Sequence, residues 1–163
     1  KDLVKESIFN IINHSNKFEI NLNNSFILDL FSGVGSFGLE CLSRGARHVT
    51  FVENYSGVLS ILKNNLNNLN ISEKYEIIEE DLISNFPIKK IRQKFNIIFL
   101  DPPYKEKRLP NIIDDIFQEK ILNKNGIIVI HRNKKENDKF SKNFKILDEK
   151  KYGISKILFG TLN

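Results

Sequence analysis

The chain has 163 residues, of which 40% are hydrophobic and 28% are charged, which is ordinary for one globular domain in water. Its apolar runs fall short of the roughly 18 residues that span a membrane, no secretory signal is visible, and a single cysteine excludes an internal disulfide. A cytoplasmic protein is therefore expected. The net charge of +5 is compatible with a polyanionic partner.

Helices and strands alternate along the chain. The predicted helices are residues 3–12 with Asp2 as N-cap, a helix that opens in segment 33–38 and ends near 43, residues 56–69 with Ser56 as cap, the turn 82–86, residues 109–121, and the polar segment 133–140. The predicted strands are residues 26–31, 48–53, 74–79, 95–100, 126–130, 144–150 and 155–162.

This alternation predicts an α/β fold, in which a mostly parallel seven-stranded sheet has helices on both faces. Tyr152-Gly153 joins the last two strands as a C-terminal antiparallel hairpin. In such sheets, ligands bind beyond the carboxyl ends of the strands, near the point where the strand order reverses. We therefore expect the functional residues to follow the strand ends.

The segment after the first strand combines a carboxylate with three glycines. Gly33, Gly35 and Gly38 form a G-x-G-x-x-G pattern, which allows a tight turn and a close approach of a ligand to the backbone. Glu53, at the end of the next strand, can accept hydrogen bonds from two ribose hydroxyls. Asp29 would repel a pyrophosphate but suits a cationic amino-acid group. The alternative is a tight strand-to-helix turn with no ligand.

The fourth strand ends in Asp101-Pro102-Pro103-Tyr104. Prolines cannot donate to a sheet ladder, so the strand stops there and a stiff turn follows. This turn holds a carboxylate, backbone carbonyl groups and an aromatic ring in fixed positions. The alternative is a strand-ending turn with a surface tyrosine, which the matching glycine segment makes less favourable.

These segments resemble the Rossmann-like methyltransferases that use S-adenosylmethionine. Residues 29–40, Ser43-Arg44-Gly45-Ala46 and Asp101-Pro102-Pro103-Tyr104 are similar to the bacterial 16S rRNA guanine-N2 methyltransferase family, and residues 1–10 resemble its first helix. The likeness covers nearly the whole chain and implies one methyltransferase domain over residues 1–163. The family's basic N-terminal arm and Arg-Pro-Thr segment are absent. Because the sequence begins at Lys1 and contains no Met, we expect natural sequence to precede it.

The resemblance implies a binding site for S-adenosylmethionine. Its implied residues are Asp29, Phe31, Gly33, Gly35, Gly38, Glu53, Asp81 and Leu82. Asp29 and the glycine segment would hold the methionine part and Glu53 the ribose. Asp81 would accept a hydrogen bond from the adenine amino group, or would cap the turn that starts at Leu82, and the two roles are compatible.

The resemblance also implies methyl transfer to the exocyclic N2 amine of a guanine in small-subunit ribosomal RNA. This amine is a poor nucleophile because its lone pair is delocalised into the ring. Hydrogen bonds from its two N–H groups to the Asp101 carboxylate and the Pro102 carbonyl would fix the nitrogen for in-line attack. Pro103 stiffens the turn, and Tyr104 can stack on a flipped base. Asp101 need not be a strong base, because the proton can leave once the nitrogen carries the positive charge.

Basic residues after this turn suggest contacts to RNA phosphates. They are Lys105, Lys107 and Arg108. His131 follows the fifth strand, where the family usually carries Glu, and is a candidate neighbour of the target base. A second basic run, formed by Lys89, Lys90, Arg92 and Lys94, is equally compatible with a solvated face.

The single cysteine, one phenylalanine of the glycine segment and the histidines were also considered as functional residues. Cys41 and Phe37 are predicted to pack in the core. His14, His48 and His131 have no partners at metal-ligand spacing, so no metal is expected. The expected partner is ribosomal RNA or the small ribosomal subunit, and a monomer is expected because no dimerisation element is evident.

Three alternative functions stay open. DNA adenine-N6 methyltransferases share D-P-P-Y, but they usually carry a target-recognition domain for which 163 residues leave no room. Protein glutamine methyltransferases resemble N-P-P-Y, whereas position 101 is Asp. A non-catalytic RNA assembly factor that binds S-adenosylmethionine would not need the intact Asp101 turn.

Overall fold

The computed structural model describes residues 2–84, 86 and 90–163. Within these residues the helices and the strands are as follows. The helices are α1 (Asp2–His14), α2 (Ser36–Ser43), α3 (Ser56–Asn67), α4 (Leu109–Glu119) and a short 3-10 helix (Ser72–Lys74). The strands are β1 (Phe26–Leu30), β2 (His48–Val52), β3 (Tyr75–Ile78), β4 (Phe95–Leu100), β5 (Leu122–Asn133), β6 (Phe144–Tyr152) and β7 (Ser155–Leu162).

The seven strands form one sheet in the order β3-β2-β1-β4-β5-β7-β6. Strands β1 to β5 pair in parallel, and β7 lies antiparallel between β5 and β6. The predicted mostly parallel sheet with a C-terminal hairpin is confirmed. The strand order reverses between β1 and β4, so the crevice for a ligand lies beyond the ends of these two strands.

The parallel strands β1 to β5 reach one level at the same edge of the sheet. The ladder pairs Ile78 with Val52, Val52 with Leu30, Leu30 with Leu100, and Leu100 with Ile130. Strands β1 to β4 end at these residues, whereas β5 continues past Ile130 to pair with β7. The residues that follow this level therefore lie side by side along the edge.

Apolar side chains cover both faces of the sheet, as the strand alternation requires. In β4, Ile97 and Phe99 face the cluster that includes residues of α1, α2 and α3, whereas Ile98 and Leu100 face the cluster that includes α4. The predicted helices on both faces are confirmed. Cys41 is fully buried in the first cluster, and burial raises the pKa of its thiol, which agrees with a packing role.

Stacked aromatic rings attach α1 to the rest of the domain. The Phe9 ring lies 5.2 Å from the Phe37 ring, and the Phe37 ring lies 4.0 Å from the Phe99 ring, centroid to centroid. Phe37 is 5% exposed, so its predicted core role is confirmed. This stack runs from α1 through α2 to β4 and fixes α1 over the crevice.

Residues 82–84 form the predicted turn, and residue 85 of the predicted segment 82–86 lies outside the described residues. Three other predicted helix features were wrong. Segment 133–140 continues β5 and then forms a turn and a loop, because Lys134 N–H donates to Ile154 O of the hairpin. Tyr55, rather than Ser56, is the N-cap of α3. Asp2 is the first described residue of α1 rather than its cap.

Strand β5 is longer than the predicted segment 126–130. It begins at Leu122, which pairs with Phe95 of β4, and it ends at Asn133, which pairs with Ser155 of β7. The two ends of β5 therefore pair with different neighbouring strands. The apolar run in the sequence indicates only the central part of β5, which is buried between β4 and β7.

A buried arginine joins three segments at the end of β5. The Arg132 side chain is fully buried, and its Nε and Nη2 donate to the Asp138 carboxylate at 2.9 and 2.8 Å. Its Nη2 also donates to Glu106 O at 2.7 Å and its Nη1 to Pro103 O at 3.3 Å. The guanidinium therefore holds the 101–108 loop against the loop that carries Asp138.

This cluster makes a testable prediction about stability. Arg132→Met leaves the 6% exposed Asp138 carboxylate without its guanidinium and should lower the free energy of unfolding by ~3–5 kcal/mol. Replacing both charges in Arg132→Met/Asp138→Leu should recover more than half of that loss, because a paired removal leaves no buried charge behind. Urea unfolding measures both values, and an equal loss in the single and double variants would contradict the prediction.

Candidate active site

A cavity of about 760 Å³ opens at the edge where β1 and β4 end. Its walls come from the glycine segment, the ends of β4 and β5, the β6–β7 turn and α1. Asp29, Gly33, Asp101 and His131 all contribute to these walls. Residues that the sequence analysis assigned to a cofactor and to a substrate amine thus share one cavity.

The glycine segment makes a sharp turn from β1 into α2. Gly35 has a φ of 90°, a left-handed value that favours glycine. A Cβ on Gly38 would lie 2.3 Å from the Phe51 ring, so glycine there lets α2 pack closely against β2. Phe31 also has a positive φ, of 57°. The predicted tight turn is confirmed.

Asp29 is 1% exposed and lines the cavity. Its Oδ2 accepts a hydrogen bond from Gly38 N–H at 3.1 Å. Its Oδ1 and the Ser32 hydroxyl are buried with no hydrogen-bond partner among the described residues. Burial raises the pKa of Asp29 well above its usual value, nearby Asp101 and Glu53 raise it further, and the Gly38 bond opposes the shift. An unpartnered buried oxygen beside a cavity suits a bound cation.

Glu53 follows β2 and accepts hydrogen bonds from three backbone N–H groups. Its Oε1 accepts from Gly33 at 2.8 Å, and its Oε2 accepts from Asn54 and Tyr55, both at 3.0 Å. The carboxylate thereby ties the glycine segment to the start of α3. An ionised carboxylate offers about four acceptor positions, so capacity remains for a ligand hydroxyl.

Asp81 caps the turn that begins at Leu82. Its Oδ1 accepts from Ile83 N–H at 3.0 Å and its Oδ2 from the Ser84 hydroxyl at 2.7 Å. The Ser84 hydrogen bond, followed by the Ile83 bond, lowers the pKa of Asp81. The predicted cap is therefore present, and the predicted adenine contact stays a prediction. Leu82 itself is 5% exposed.

The Asp101 turn presents its carboxylate and its aromatic ring to solvent. The Asp101 side chain is 49% exposed and Tyr104 is 61% exposed, whereas Pro102 is buried. Pro103 O accepts hydrogen bonds from Glu106 N–H and from Arg132. Within the described part of the chain, no donor contacts the Pro102 carbonyl oxygen. Glu106 and Arg132 thus hold the turn through the Pro103 carbonyl oxygen.

His131 contacts Asp101 directly. Its Nδ1 lies 3.1 Å from Asp101 Oδ1, and its Nε2 lies 2.9 Å from the Ser155 hydroxyl. The sequence placed His131 near a substrate base but missed both contacts. The contact between His131 and Asp101 could have been inferred from the strand order. Because Leu100 of β4 pairs with Ile130 of β5, the residues that follow them, Asp101 and His131, lie side by side.

The basic residues beyond Tyr104 differ in their partners. Lys107 pairs with Glu136 at 3.0 Å, and Arg108 lies 3.5 Å from Glu106. The Lys105 ammonium lies 6.0 Å from the centroid of the Tyr104 ring. In the second basic run, Lys90 pairs with Glu80, and Lys89 lies outside the described residues.

Two parts of the cavity wall were missed by the sequence analysis. Val4, Lys5 and Ile8 of α1 cover one side, and Ile154 of the β6–β7 turn, 73% exposed, covers another. The sequence did contain one indication that α1 borders a polar site, namely Lys5 next to the apolar face of the helix. No local signal marked Ile154, since its position depends on the pairing of β7 with β5.

In the part of the chain that is described, no cluster of three or more His, Cys, Asp or Glu side chains is arranged to hold a metal ion. Among the same residues, no helix has the length and apolarity needed to cross a membrane.

Comparisons with known proteins agree with the fold. Residues 1–161 match the sequence family described as Conserved hypothetical protein 95. Ribosomal RNA small subunit methyltransferase D of Haemophilus influenzae is 32% identical over 154 residues, which are 94% of this chain and 77% of that protein.

Solved structures show the same architecture. The crystal structure of the Haemophilus influenzae protein HI0767 is 32% identical, has a TM-score of 0.78, and is matched over 98% of this chain and 96% of its own. An RNA methyltransferase of Salinibacter ruber in complex with S-adenosylhomocysteine has a TM-score of 0.68 at 11% identity over 98% of this chain and 90% of its own, and this likeness concerns the fold alone. The chain belongs to the Conserved hypothetical protein 95 family of S-adenosylmethionine-dependent, Rossmann-like methyltransferases, which includes ribosomal RNA small subunit methyltransferase D.

Proposed function

We propose that this protein transfers a methyl group from S-adenosylmethionine to the N2 amine of a guanine in 16S ribosomal RNA. The observation that carries the proposal is one cavity lined by Asp29, whose Oδ1 has no hydrogen-bond partner in the described part of the chain, and by the solvent-facing Asp101 carboxylate. The first suits the cationic amino group of the cofactor, and the second suits an amine donor. The name of the Haemophilus influenzae relative supports ribosomal RNA as the substrate.

The residues around the glycine segment fit the cofactor. Asp29 Oδ1 and the Ser32 hydroxyl would satisfy their hydrogen bonds on its amino-acid part, and Glu53 would use its remaining acceptor positions for the ribose. Asp81, whose pKa is lowered and which therefore stays ionised, would accept from the adenine amino group. When bound, S-adenosylmethionine supplies an electrophilic methyl group on a sulfonium.

The Asp101 turn would orient the amine. One N–H donates to Asp101 Oδ2 and the other to the open Pro102 carbonyl, so the nitrogen lone pair is directed away from both acceptors. The new N–C bond forms as the methyl–sulfur bond breaks, and the aminium proton passes to Asp101 Oδ2 and then to water. Positioning of the two reactants supplies most of the rate enhancement. Tyr104 offers an exposed ring on which the base can stack.

The experiment that tests the function measures methylated nucleosides. Small subunits and protein-free 16S rRNA from a strain without this gene are incubated with the protein and S-adenosylmethionine, and the RNA is analysed by mass spectrometry. N2-methylguanine should appear with the wild type. Asp101→Ala should slow its formation by about 100-fold or more, because the amine loses an acceptor and its proton acceptor.

The control for Asp101→Ala is its affinity for S-adenosylhomocysteine. A value within twofold of wild type shows that the variant is folded and still binds the cofactor product. Formation of N6-methyladenine instead, or unchanged N2-methylguanine in the treated RNA, would refute the proposed substrate. Wild-type rate in Asp101→Ala would refute the role of the carboxylate.

The raised pKa of Asp29 generates a stability prediction with a defined sign. The folded state holds the Asp29 proton more tightly than the unfolded state, so the wild type loses stability as pH rises through the raised pKa. Asp29→Asn lacks this loss. Its melting temperature should exceed that of the wild type by more at pH 9 than at pH 5, with roughly 2–4 °C for each kcal/mol regained.

Calorimetry with S-adenosylhomocysteine gives the matching binding result. Asp29→Asn should bind at least about tenfold more weakly, because a charge-assisted bond to the ligand amino group is lost. Glu53→Ala should also weaken binding, and Glu53→Gln, which keeps one acceptor oxygen, should weaken it less. Wild-type affinity in Asp29→Asn would exclude an ammonium contact at Oδ1.

Lys105, Lys107 and Arg108 would contact RNA phosphates beside the target base. Lys107 already pairs with Glu136, whereas Lys105 lies beside the exposed Tyr104 ring, which makes the two lysines a matched pair. Lys105→Gln should reduce the slope of log KM for RNA against log salt by about 0.7–0.9, the change expected for one lost phosphate contact. Lys107→Gln should change the slope less, and equal slopes in both variants and the wild type would contradict the assignment.

A further inference from the structure

We propose that His131 positions Asp101 for the methyl transfer, an inference that rests on the proposed function. Three side chains from three strand ends form one hydrogen-bonded row. Asp101 follows β4, His131 lies in β5, and Ser155 begins β7. The contacts measure 3.1 Å from Asp101 Oδ1 to Nδ1 and 2.9 Å from Nε2 to the Ser155 hydroxyl.

The chemistry of the row decides where its protons lie. An ionised carboxylate can only accept, so the Nδ1 atom of His131 carries the proton and donates to Asp101 Oδ1. In the neutral ring Nε2 is an acceptor and takes its hydrogen bond from the Ser155 hydroxyl, whereas in the imidazolium Nε2 donates to the same hydroxyl oxygen. The Asp101 contact therefore requires a proton on Nδ1, and the Ser155 hydroxyl can match either state of Nε2.

This arrangement selects one Asp101 oxygen for the substrate. The terminal torsion of an aspartate is broad, and the Asp101 side chain is 49% exposed, so without His131 its carboxylate would turn freely. With Oδ1 bound to the imidazole, Oδ2 is the oxygen with both acceptor positions free for the substrate N–H. A displacement of about 1 Å in a reacting group costs up to 100-fold in rate.

The support for the ring comes from the hairpin. Ser155 follows the β6–β7 turn, and Lys134 N–H donates to Ile154 O at 2.8 Å, which ties that turn to the loop after β5. The His131 side chain is 27% exposed, so the ring packs partly against protein and faces the cavity with its remaining surface. His131 is therefore a positioning residue that acts through Asp101.

Two amide substitutions separate the contacts of His131. In His131→Asn, the amide nitrogen takes the place of Nδ1 and can donate to Asp101. In His131→Gln, the amide group takes the place of Nε2 and reaches Ser155. We expect His131→Ala and His131→Gln to lower kcat about 10-fold to 50-fold with KM for RNA within twofold, and His131→Asn to stay within about threefold of wild type.

A double-mutant cycle tests whether His131 acts through Asp101. In single-turnover reactions, His131→Ala should slow the wild type about 10-fold to 50-fold but should change the Asp101→Ala variant less than twofold. The same slowing in both backgrounds would overturn the proposal, as would a His131→Asn variant as slow as His131→Ala. Melting temperatures and S-adenosylhomocysteine affinity, unchanged across the series, exclude a general loss of structure.

A spectroscopic measurement remains decisive if the RNA proves to be the wrong substrate. The chain has three histidines, so the imidazole ¹⁵N resonances can be assigned with His14 and His48 substitutions. His131 should show a protonated Nδ1 whose resonance shifts in Asp101→Ala. A ring protonated only at Nε2, or an Nδ1 resonance whose chemical shift is unchanged in Asp101→Ala, would overturn the proposal. Absence of methyl transfer by the wild type would refute the proposed function and leave this test valid.

Discussion

The register of the five parallel strands is the constraint on which the site depends. Val52, Leu30, Leu100 and Ile130 lie at one level of the ladder, and each is fully buried. A shift by one residue would exchange the two faces of a strand and expose its apolar side chains, so burial fixes the register strongly. The polar residues that follow these positions are thereby brought to one edge, although they are far apart in sequence. Core packing, rather than contacts among the polar residues themselves, assembles the cavity.

Two buried charged groups near this edge, Arg132 and Asp29, differ in how completely their hydrogen bonds are satisfied. The Arg132 guanidinium is surrounded by carboxylate and carbonyl acceptors, so its burial stabilises one arrangement of the 101–108 loop. Asp29 keeps one oxygen without a hydrogen-bond partner among the described residues, and burial raises its pKa. A satisfied charge is found where a loop is held in one arrangement, and an unsatisfied one lines the cavity where the proposed cofactor would complete the bonding. The Arg132 cluster also shows why the Asp101 turn can face solvent and still keep its shape.

Much of this arrangement follows from local sequence, and the rest depends on which strands are neighbours. Gly33, Gly35 and Asp101 were predicted correctly at strand ends, because glycines and prolines restrict the backbone within a few residues. The contact of His131 with Asp101 needs the knowledge that β5 pairs with β4, and the Arg132 bonds need a loop whose path no local pattern specifies. The helix predicted for segment 133–140 was wrong. Its polar residues have no apolar periodicity from which a helix can be told apart from a loop, and its hydrogen bonds go to the hairpin and to Arg132.

The structural roles of Glu53 and Asp81 are compatible with the binding roles proposed for them. Each carboxylate accepts hydrogen bonds from its own loop, Glu53 from three backbone N–H groups and Asp81 from Ile83 and Ser84. Those bonds hold the oxygens in place before any ligand arrives, so a ligand hydroxyl or amine meets acceptors that are already ordered. Ordering in the folded protein removes part of the entropy cost of binding. The observed cap of Asp81 is therefore compatible with its proposed contact to the adenine amino group.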